Sequence, residues 1–541
     1  MDRKFDTKVQ YLKYQVLREV VRLAYKDRLL EEASTIPKRI VPGKVPTMRC
    51  CVFKERAILQ ERVRMASGGT SANPNIIEVI DIACDECPVG GFEVTNACRG
   101  CIAHRCEQAC RKGAITFDQH QKAHIDKNKC VECGMCAKVC PYNAIMNFRR
   151  PCEQACMIKA ISMNEDKVAL IDESKCVRCG ACVYMCPFGA IVDKSYILNV
   201  IDILRKAEKD PEVHVYAVVA PSISGQFSYA KLGQVIAGIM KCGFFQVVEA
   251  ALGADMVAYK ESAELVEKGF LLSSCCPAFV DFVHKEFPTM VQHISHNLSP
   301  QATIAQYIKK TDPKCKIVFI GPCTAKKMEV QLEEVKPYVD AAMTFEELQA
   351  LFDGLDIDIT TLPEEPLDNA SYYGRIFARS GGLTDAVREG IKEHGLEFDF
   401  KPIACNGLAE CRKALLLASR GKLPNNFIEG MACLGGCIGG AGCLTHGDKI
   451  ASNIDKYGKE ALEQTISGAV SQYLSKDYPV KENTEIPPSG APFVPHAPTP
   501  EASSSPAAPS AQPVPTPPAA APAPPAAASA PAPEPKAQPA P

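Results

Sequence analysis

Hydrophobic and polar positions change their pattern along the chain. In the first 35 residues apolar positions recur at helical spacing among many charges, Val16-Leu17, then Val20-Val21, then Leu23-Ala24, and this predicts one amphipathic helix. Packing against the ferredoxin-like region described below is the plain expectation for it, and docking a partner the sharper one. From about residue 210, short β-rich runs such as Val213 to Ala220 and Lys316 to Ile320 alternate with amphipathic stretches. Such alternation predicts buried strands in an α/β architecture. After about residue 486 the pattern gives way to Pro, Ala and Ser repeats such as Ala519-Ala520-Ala521-Pro522-Ala523-Pro524-Pro525. That composition buries no core and predicts an extended, disordered tail. No run of 18 apolar residues occurs, so no membrane-spanning helix is expected.

Length and charge narrow the picture little. At 541 residues the chain has room for two or three domains, and a formal net charge of -2 favours neither nucleic acid nor a membrane surface. Its 28 cysteines are the outlier. A secreted disulfide scaffold is usually short and led by a signal peptide, whereas this chain begins Met1-Asp2-Arg3-Lys4 with no such pattern. The expectation is a cytoplasmic protein whose thiolates hold metal.

Sixteen of the cysteines lie between residues 84 and 186, the number that four [4Fe-4S] clusters need. Cys130, Cys133, Cys136 and Cys140-Pro141 follow the bacterial ferredoxin run C-x2-C-x2-C-x3-C-P, as do Cys176, Cys179, Cys182 and Cys186-Pro187. In such runs the fourth cysteine reaches across to the other cluster. Cys98, Cys101, Cys106 and Cys110 supply a looser partner for the first run. For the second only Cys152 and Cys156 lie close upstream, and Cys84-Asp85-Glu86-Cys87 completes the set. The repeated string Cys-Glu-Gln-Ala-Cys at 106–110 and 152–156 marks the second half of two homologous motifs. One motif is therefore read as split, with residues 88–151 inserted as a two-cluster unit inside another. The expected quartets are Cys98, Cys101, Cys106, Cys140; Cys130, Cys133, Cys136, Cys110; Cys176, Cys179, Cys182, Cys156; and Cys84, Cys87, Cys152, Cys186. Zinc also takes C-x2-C pairs, but two proline-terminated four-cysteine runs favour iron-sulfur.

Further along, three cysteine stretches follow apolar runs: Leu271-Leu272-Ser273-Ser274-Cys275-Cys276-Pro277, Gly321-Pro322-Cys323-Thr324-Ala325-Lys326-Lys327-Met328-Glu329, and Glu429-Gly430-Met431-Ala432-Cys433-Leu434-Gly435-Gly436-Cys437. Loops at strand ends are where α/β folds place ligands. Together the stretches resemble the signature loops of the [FeFe]-hydrogenases, and the nested cysteine pairing resembles that of multi-cluster ferredoxin subunits. The resemblance implies a two-lobed α/β catalytic domain preceded by α+β ferredoxin-like [4Fe-4S] domains and followed by the disordered tail. The expected boundaries are 1–75 for a helical extension, 76–200 for the ferredoxin-like region, 210–484 for the catalytic region and 485–541 for the tail.

Carried over residue by residue, the resemblance makes Cys276, Cys323, Cys433 and Cys437 the ligands of a [4Fe-4S] subcluster. Cys437 would bridge to a diiron unit carrying CO, cyanide and azadithiolate, the whole being the H-cluster. Cys275 would exchange protons with the azadithiolate amine, on a route through Glu261, Ser295 and Glu264. Lys326 would donate to a cyanide, and Pro221, Ser222 and Met431 would lie against the cofactor. The implied activity is reversible 2H+ + 2e- = H2, with electrons relayed through four accessory clusters to ferredoxin or a similar carrier, and with maturation proteins building the diiron site.

Alternatives weigh against each element. Glu261 and Glu264 stand three apart, as on a solvated helix face; Lys326 and Lys327 alone would be ordinary exposed lysines; Gly435, Gly436, Gly439 and Gly440 are turn residues unless the backbone packs close to a bulky cofactor. A non-catalytic relative of the iron-sulfur assembly or electron-transfer kind, without the diiron unit, usually lacks the first of the paired cysteines; an H2 sensor usually adds a signalling domain. Gly321 stands where the best-known hydrogenases have methionine, Ala278-Phe279 replaces Gly-Trp, and Cys443 is unexpected. These departures resemble a divergent branch, group B. Cys50, Cys51, Cys242, Cys315, Cys405, Cys411 and Cys443 remain, mostly as expected core fillers.

Overall fold

A computed structural model describes residues 5–473, apart from 86, 88 and 89. The expected tail over 485–541, with the last residues of the expected catalytic region, lies outside the described residues. The predicted N-terminal helix runs Lys8–Tyr25. Thr7 caps it: its hydroxyl accepts from the Gln10 N–H at 3.2 Å while the Gln10 side chain accepts the Thr7 N–H at 3.2 Å, which satisfies two otherwise orphaned donors. Its buried stripe of Leu12, Val16, Leu17, Val20 and Val21 joins the α/β core rather than the ferredoxin-like region expected to cover it. The difference has a simple cause. The ferredoxin-like strands are only three residues long and offer no broad aliphatic face, whereas the helix Phe345–Gly354 does. Val21 sits against its Gly354, where an added Cβ would stand 2.5 Å from Val21 Cγ1.

The ferredoxin-like region is nested. Strand β1 (Ile77–Val79) pairs antiparallel with β8 (Ile191–Asp193), and enclosed between them in sequence β2 (Phe92–Val94) pairs antiparallel with β5 (Ile145–Asn147). Each frame holds a hairpin, β3 (Ile115–Phe117) with β4 (Ala123–Ile125) in the inner one and β6 (Ile161–Met163) with β7 (Ala169–Ile171) in the outer. The chain enters and leaves the inner frame at one point, where the Phe148 N–H donates to the Gly91 carbonyl at 2.9 Å.

Two parallel sheets follow, as the alternation predicts. One has the order β10 (Gln246–Glu249), β9 (Val215–Val219), β12 (Lys316–Gly321), β13 (Ala341–Thr344). The other runs β11 (Leu271–Leu272), β15 (Phe427–Met431), β14 (Pro402–Asn406). Helices supply the crossovers, the longest being Ala250–Lys268 directly after β10. Among the described residues no helix is long and apolar enough to cross a membrane.

A buried ionic network ties the three parts together. Lys13 Nζ reaches Asp193 Oδ1 and Glu346 Oε2, both at 2.6 Å. Lys327 Nζ reaches Asp193 Oδ2 and Glu347 Oε1, both at 2.8 Å, and donates to the Lys194 carbonyl. Lys327 is fully buried, contrary to its reading as an ordinary exposed lysine, because two carboxylates compensate its charge.

Candidate metal and catalytic centre

Most of the accessory cysteines gather in local groups. Cys84, Cys87, Cys152 and Cys186 line one pocket with Arg150 and Phe188. Burial, then the neighbouring Cys186 and Cys84, push the Cys152 thiol up to about 12. Cys156, Cys176, Cys179 and Cys182 line a second pocket with Ile77, Ile171 and Leu408. In the inner frame burial raises Cys106, with Cys101 and Cys140 adding to the effect, and raises Cys136, with Cys130 and Cys110 beside it. Among the described residues no three His, Cys, Asp or Glu side chains converge as a single ion requires.

One local device recurs at all four groups. The backbone N–H of Ala114, Ala144, Ala160 and Ala190 donates to the Sγ of Cys110, Cys140, Cys156 and Cys186 at 3.3, 3.4, 3.2 and 3.2 Å. In each case the residue before the alanine takes the left-handed conformation: Gly113, Asn143, Lys159 and Gly189, with φ of 57°, 49°, 55° and 58°. That turn swings the next N–H back onto sulfur. Hydrogen bonds to cluster sulfurs are among the factors that set reduction potential.

The five remaining signature cysteines stand beyond strand ends: Cys275 and Cys276 after β11, Cys323 after β12, Cys433 and Cys437 after β15. Burial, then the neighbouring Cys276, push Cys323 up to about 11; burial, then Cys323 and Cys276, push Cys437 up to about 12. Cys433 is raised by burial with Cys323, Cys276 and Cys179 nearby, so the second accessory pocket adjoins this group. Packing seals that junction. A Cβ on Gly180 would stand 2.6 Å from Thr324 Oγ1 and 2.7 Å from Ala441 Cβ, and Thr324 Oγ1 donates to the Arg178 carbonyl at 2.9 Å.

Cys275 is buried, and its thiol is raised by burial and next by the Glu261 carboxylate. Glu261 is itself fully buried, so the solvated-helix-face reading fails for it. Burial pushes its carboxyl up to about 7. Its Oε1 accepts from the Ser274 N–H at 3.3 Å and the Ser274 hydroxyl at 3.2 Å, while Oε2 has no hydrogen-bond partner. Ser295 lies near enough to favour the Glu261 carboxylate, and its hydroxyl donates to Glu264 Oε2 at 2.9 Å. Glu264 Oε1 pairs with Lys268 Nζ at 2.6 Å, and its side chain keeps 13% exposure, which puts it at the rim. Cys275, Glu261, Ser295 and Glu264 thus run from interior to surface.

Lys326 is buried, not exposed, and donates to Glu329 Oε2 at 2.7 Å. Gln301, absent from the sequence reading, also donates to Glu329 through Nε2, leaving its buried Oε1 without a partner. The Ser222 hydroxyl, in the turn Pro221–Gly225 after β9, is another buried orphan. Met431 closes β15 and is buried. Buried unpaired polar atoms are costly, so Ser222 Oγ, Gln301 Oε1 and Glu261 Oε2 fit a site completed by a polar group. The thiol quartet fits an iron-sulfur cluster in the same way.

Two glycines of the third loop lie close to protein backbone: a Cβ on Gly439 would stand 2.0 Å from the Leu434 carbonyl oxygen, and one on Gly440 2.4 Å from that of Pro322. One expectation is corrected here. Cys50 and Cys51 are exposed rather than core fillers, because Cys51 caps the helix Val52–Ala66 at its solvent end, accepting from the Lys54 N–H at 3.4 Å. Cys443 is buried and its Sγ lies 3.4 Å from the Ile438 carbonyl oxygen.

Residues 213–441 match the family described as "Iron only hydrogenase large subunit, C-terminal domain", and residues 123–146 and 169–192 match a 4Fe-4S binding domain. Iron hydrogenase 1 of Clostridium pasteurianum is 27% identical over 298 residues, covering 45% of this chain and 52% of that protein. The NADP-reducing hydrogenase subunit HndD of Solidesulfovibrio fructosivorans is 27% identical over 316 residues, 48% of this chain and 54% of that one. The matched region thus spans about half the length of these two relatives. The cytosolic Fe-S cluster assembly factor NAR1 of Eremothecium gossypii is 32% identical over 140 residues, 24% of this chain and 31% of that one.

Proposed function

Since this chain belongs to the iron-only hydrogenase large-subunit family, as a divergent member, we propose that it interconverts protons, electrons and H2 at an H-cluster. The observation that carries the reading is Cys275, a buried thiol beside the ligand Cys276 and at the inner end of Glu261, Ser295 and Glu264. In this reading Cys276, Cys323, Cys433 and Cys437 would hold a [4Fe-4S] subcluster, and Cys437 would link it to the diiron unit. When bound, the diiron unit would supply the redox chemistry that interconverts protons and H2. Cys275 keeps its proton because burial and the nearby carboxylate disfavour the thiolate. Glu261, with its carboxyl near neutrality, takes and returns a proton at little cost. Ser295 turns its hydroxyl between the two glutamates, and Glu264 meets water at the rim beside Lys268. Lys326, oriented by Glu329, would donate to an anionic ligand of the cofactor, and the unpaired Ser222 hydroxyl offers it a second donor.

Electrons are proposed to pass through four accessory [4Fe-4S] clusters on the expected quartets. Cys179 beside Cys433, and Cys152 beside Cys182, support an order of H-cluster, then the Cys176 group, then the Cys84 group, then the inner frame. Ferredoxin or a similar small carrier is the proposed external partner.

Similarity to an assembly factor favours a second reading, cluster binding without catalysis. Infrared spectroscopy on protein isolated without oxygen from a host that builds the diiron unit separates the two. Iron-bound CO and cyanide bands are expected, with H2 turnover lost in Cys275→Ala at unchanged iron content. A fully iron-loaded chain lacking both bands, beside a matured control hydrogenase, overturns the enzyme reading.

A further inference from the structure

The inner ferredoxin-like frame has two unlike ends. At the junction with the outer frame the Cys130 turn folds against the entry strand: a Cβ on Gly91 would stand 2.7 Å from Glu132 Oε1, and Lys127 Nζ donates to the Phe92 carbonyl at 2.9 Å. Val131 is exposed here, but its surroundings are balanced in charge, with Lys127 beside Glu93 at 3.5 Å and Lys129 beside Asp126 at 3.7 Å. At the opposite end the loop carrying Cys98 and Cys101 folds against the turn between β3 and β4. A Cβ on Gly100 would stand 2.9 Å from the His120 carbonyl oxygen and 3.1 Å from that of Gln121, and the His104 ring stacks on Phe117 with centroids 3.8 Å apart. The Cys98 group is therefore the one farther from the point where the frame joins the rest of the chain. Residues 95–125 carry five Lys or Arg and two acids, in a chain of net charge -2. Both acids are engaged: Asp118 accepts from the His120 and Lys122 N–H groups at 2.8 and 2.9 Å, and Glu107 Oε2 lies 3.3 Å from His104 Nδ1. Arg99, Arg105, Arg111, Lys112 and Lys122 are exposed, and none forms an ion pair among the described residues. Ile102, directly after Cys101, is 99% exposed. Among the described residues no hydrogen bond or ion pair of 95–125 reaches outside the inner frame.

We propose that this far end is the docking face for the external electron carrier, with Ile102 flanked by Arg99 and Arg105 and Lys122 on the turn beside it, and that the carrier is a small acidic iron-sulfur protein. The inference deepens the electron-relay part of the reading above: it rests on the accessory cysteines holding clusters, with the Cys98, Cys101, Cys106, Cys140 group as the terminal one, and not on the hydrogen chemistry. Cations without acids beside them keep their field for a partner and steer an acidic protein to this end rather than to the balanced one. An exposed apolar residue among charges gives the contact a dry centre and a polar rim, and a small contact suits a carrier that must leave after each delivery. Each encounter passes one electron from reduced carrier to oxidised cluster, with no bond made or broken.

The test mixes the full chain, its accessory clusters loaded and oxidised, with a reduced acidic [2Fe-2S] ferredoxin and follows the carrier's oxidation by rapid-freeze electron paramagnetic resonance. The wild-type rate constant is expected to fall about tenfold or more from low to high salt. Arg99→Glu/Arg105→Glu should lose about as much at low salt and respond little to added salt, with iron content and reduction by dithionite unchanged. Ile102→Ser should slow the reaction while keeping its salt dependence, and Lys129→Glu, the matching charge change at the junction end, should slow it less than Arg99→Glu alone. A wild-type rate in the double variant, or an equal loss in Lys129→Glu, would overturn the docking face. So would a dimer of this chain that the double variant dissolves, since a second copy would then be the occupant. A chain that takes up no accessory clusters fails at the iron assay and removes the relay reading itself, whereas missing CO and cyanide bands remove only the hydrogen chemistry and leave this rate to be measured as before.

Discussion

On the proposed route, Glu261 is the residue on which proton supply turns. Burial pushes its carboxyl up to about 7, so it is largely protonated below neutrality and ionised above it. If H2 evolution draws its proton from this group, as proposed, the rate should fall as pH rises through about 7. Glu261→Gln cannot release a proton and is expected to lower turnover by about 10²- to 10⁴-fold, with that limb of the pH profile erased and the CO and cyanide bands retained. A rate profile identical to wild type would remove Glu261 from the route. Some of this site was legible in the sequence, because Cys275 and the two glutamates lie in recognisable strings. Gln301 was not: its signal is an unpaired Oε1 beside Glu329, which exists only once the chain is folded. Nor was the burial of Lys327 legible, because a lysine is normally exposed, and only Asp193 and Glu347, distant in sequence, make its burial tolerable.

The cluster-binding turns are defined by elements of five residues: cysteine, two variable positions, a left-handed residue and alanine. The turn was hidden in the sequence because the left-handed position is filled by Gly, Asn or Lys. Lys159 is the costly version, since a left-handed residue with a Cβ pays roughly 1–2 kcal/mol for its φ of 55°. Lys159→Gly is expected to raise stability by about 1 kcal/mol at most after the entropy of glycine is subtracted, measured as a higher denaturation midpoint with unchanged iron. By contrast Gly189 is fixed twice over. A Cβ there would stand 2.3 Å from Arg62 Nη2 as well as adopting the disfavoured φ. Gly189→Ala should therefore loosen the Cys84, Cys87, Cys152, Cys186 group, which shows as loss of one cluster's electron paramagnetic signal. A variant retaining every cluster at full stability would contradict that account. The strands, too, were only partly legible. The apolar runs before Cys275 and Cys323 read as β11 and β12, whereas the three-residue strands of the ferredoxin-like frames are too short to carry a period.

At the scale of the molecule the buried ionic network holds helix, ferredoxin-like frame and α/β core in one arrangement. Lys327→Met leaves Asp193 and Glu347 less compensated and is expected to cost about 3–5 kcal/mol. Burial opposes ionisation of Asp193, yet Lys13 and Lys327 outweigh it and hold the carboxyl well below the usual carboxylate range. An unfolded aspartate titrates at about 3.9. The stabilisation is therefore complete above that pH and is lost as pH falls towards the native value. Wild type should lose stability below about pH 4 more steeply than Asp193→Asn, which lacks this contribution at any pH. Equal acid slopes for the two would refute the network's role.

The inner frame meets the outer one where Phe148 hydrogen-bonds Gly91. Replacing residues 92–147 by a two-residue turn should leave the outer clusters and the catalytic part folded, with roughly eight irons fewer per chain and slower exchange with an external carrier. A segment whose two ends meet is, for the chain that carries it, no longer than a loop. Gain or loss of the cysteines for two proposed clusters is then open to a single event in a lineage, one insertion or one excision at that meeting point. On the proposed function, that architecture would let conductor length change while the catalytic part stays as it is.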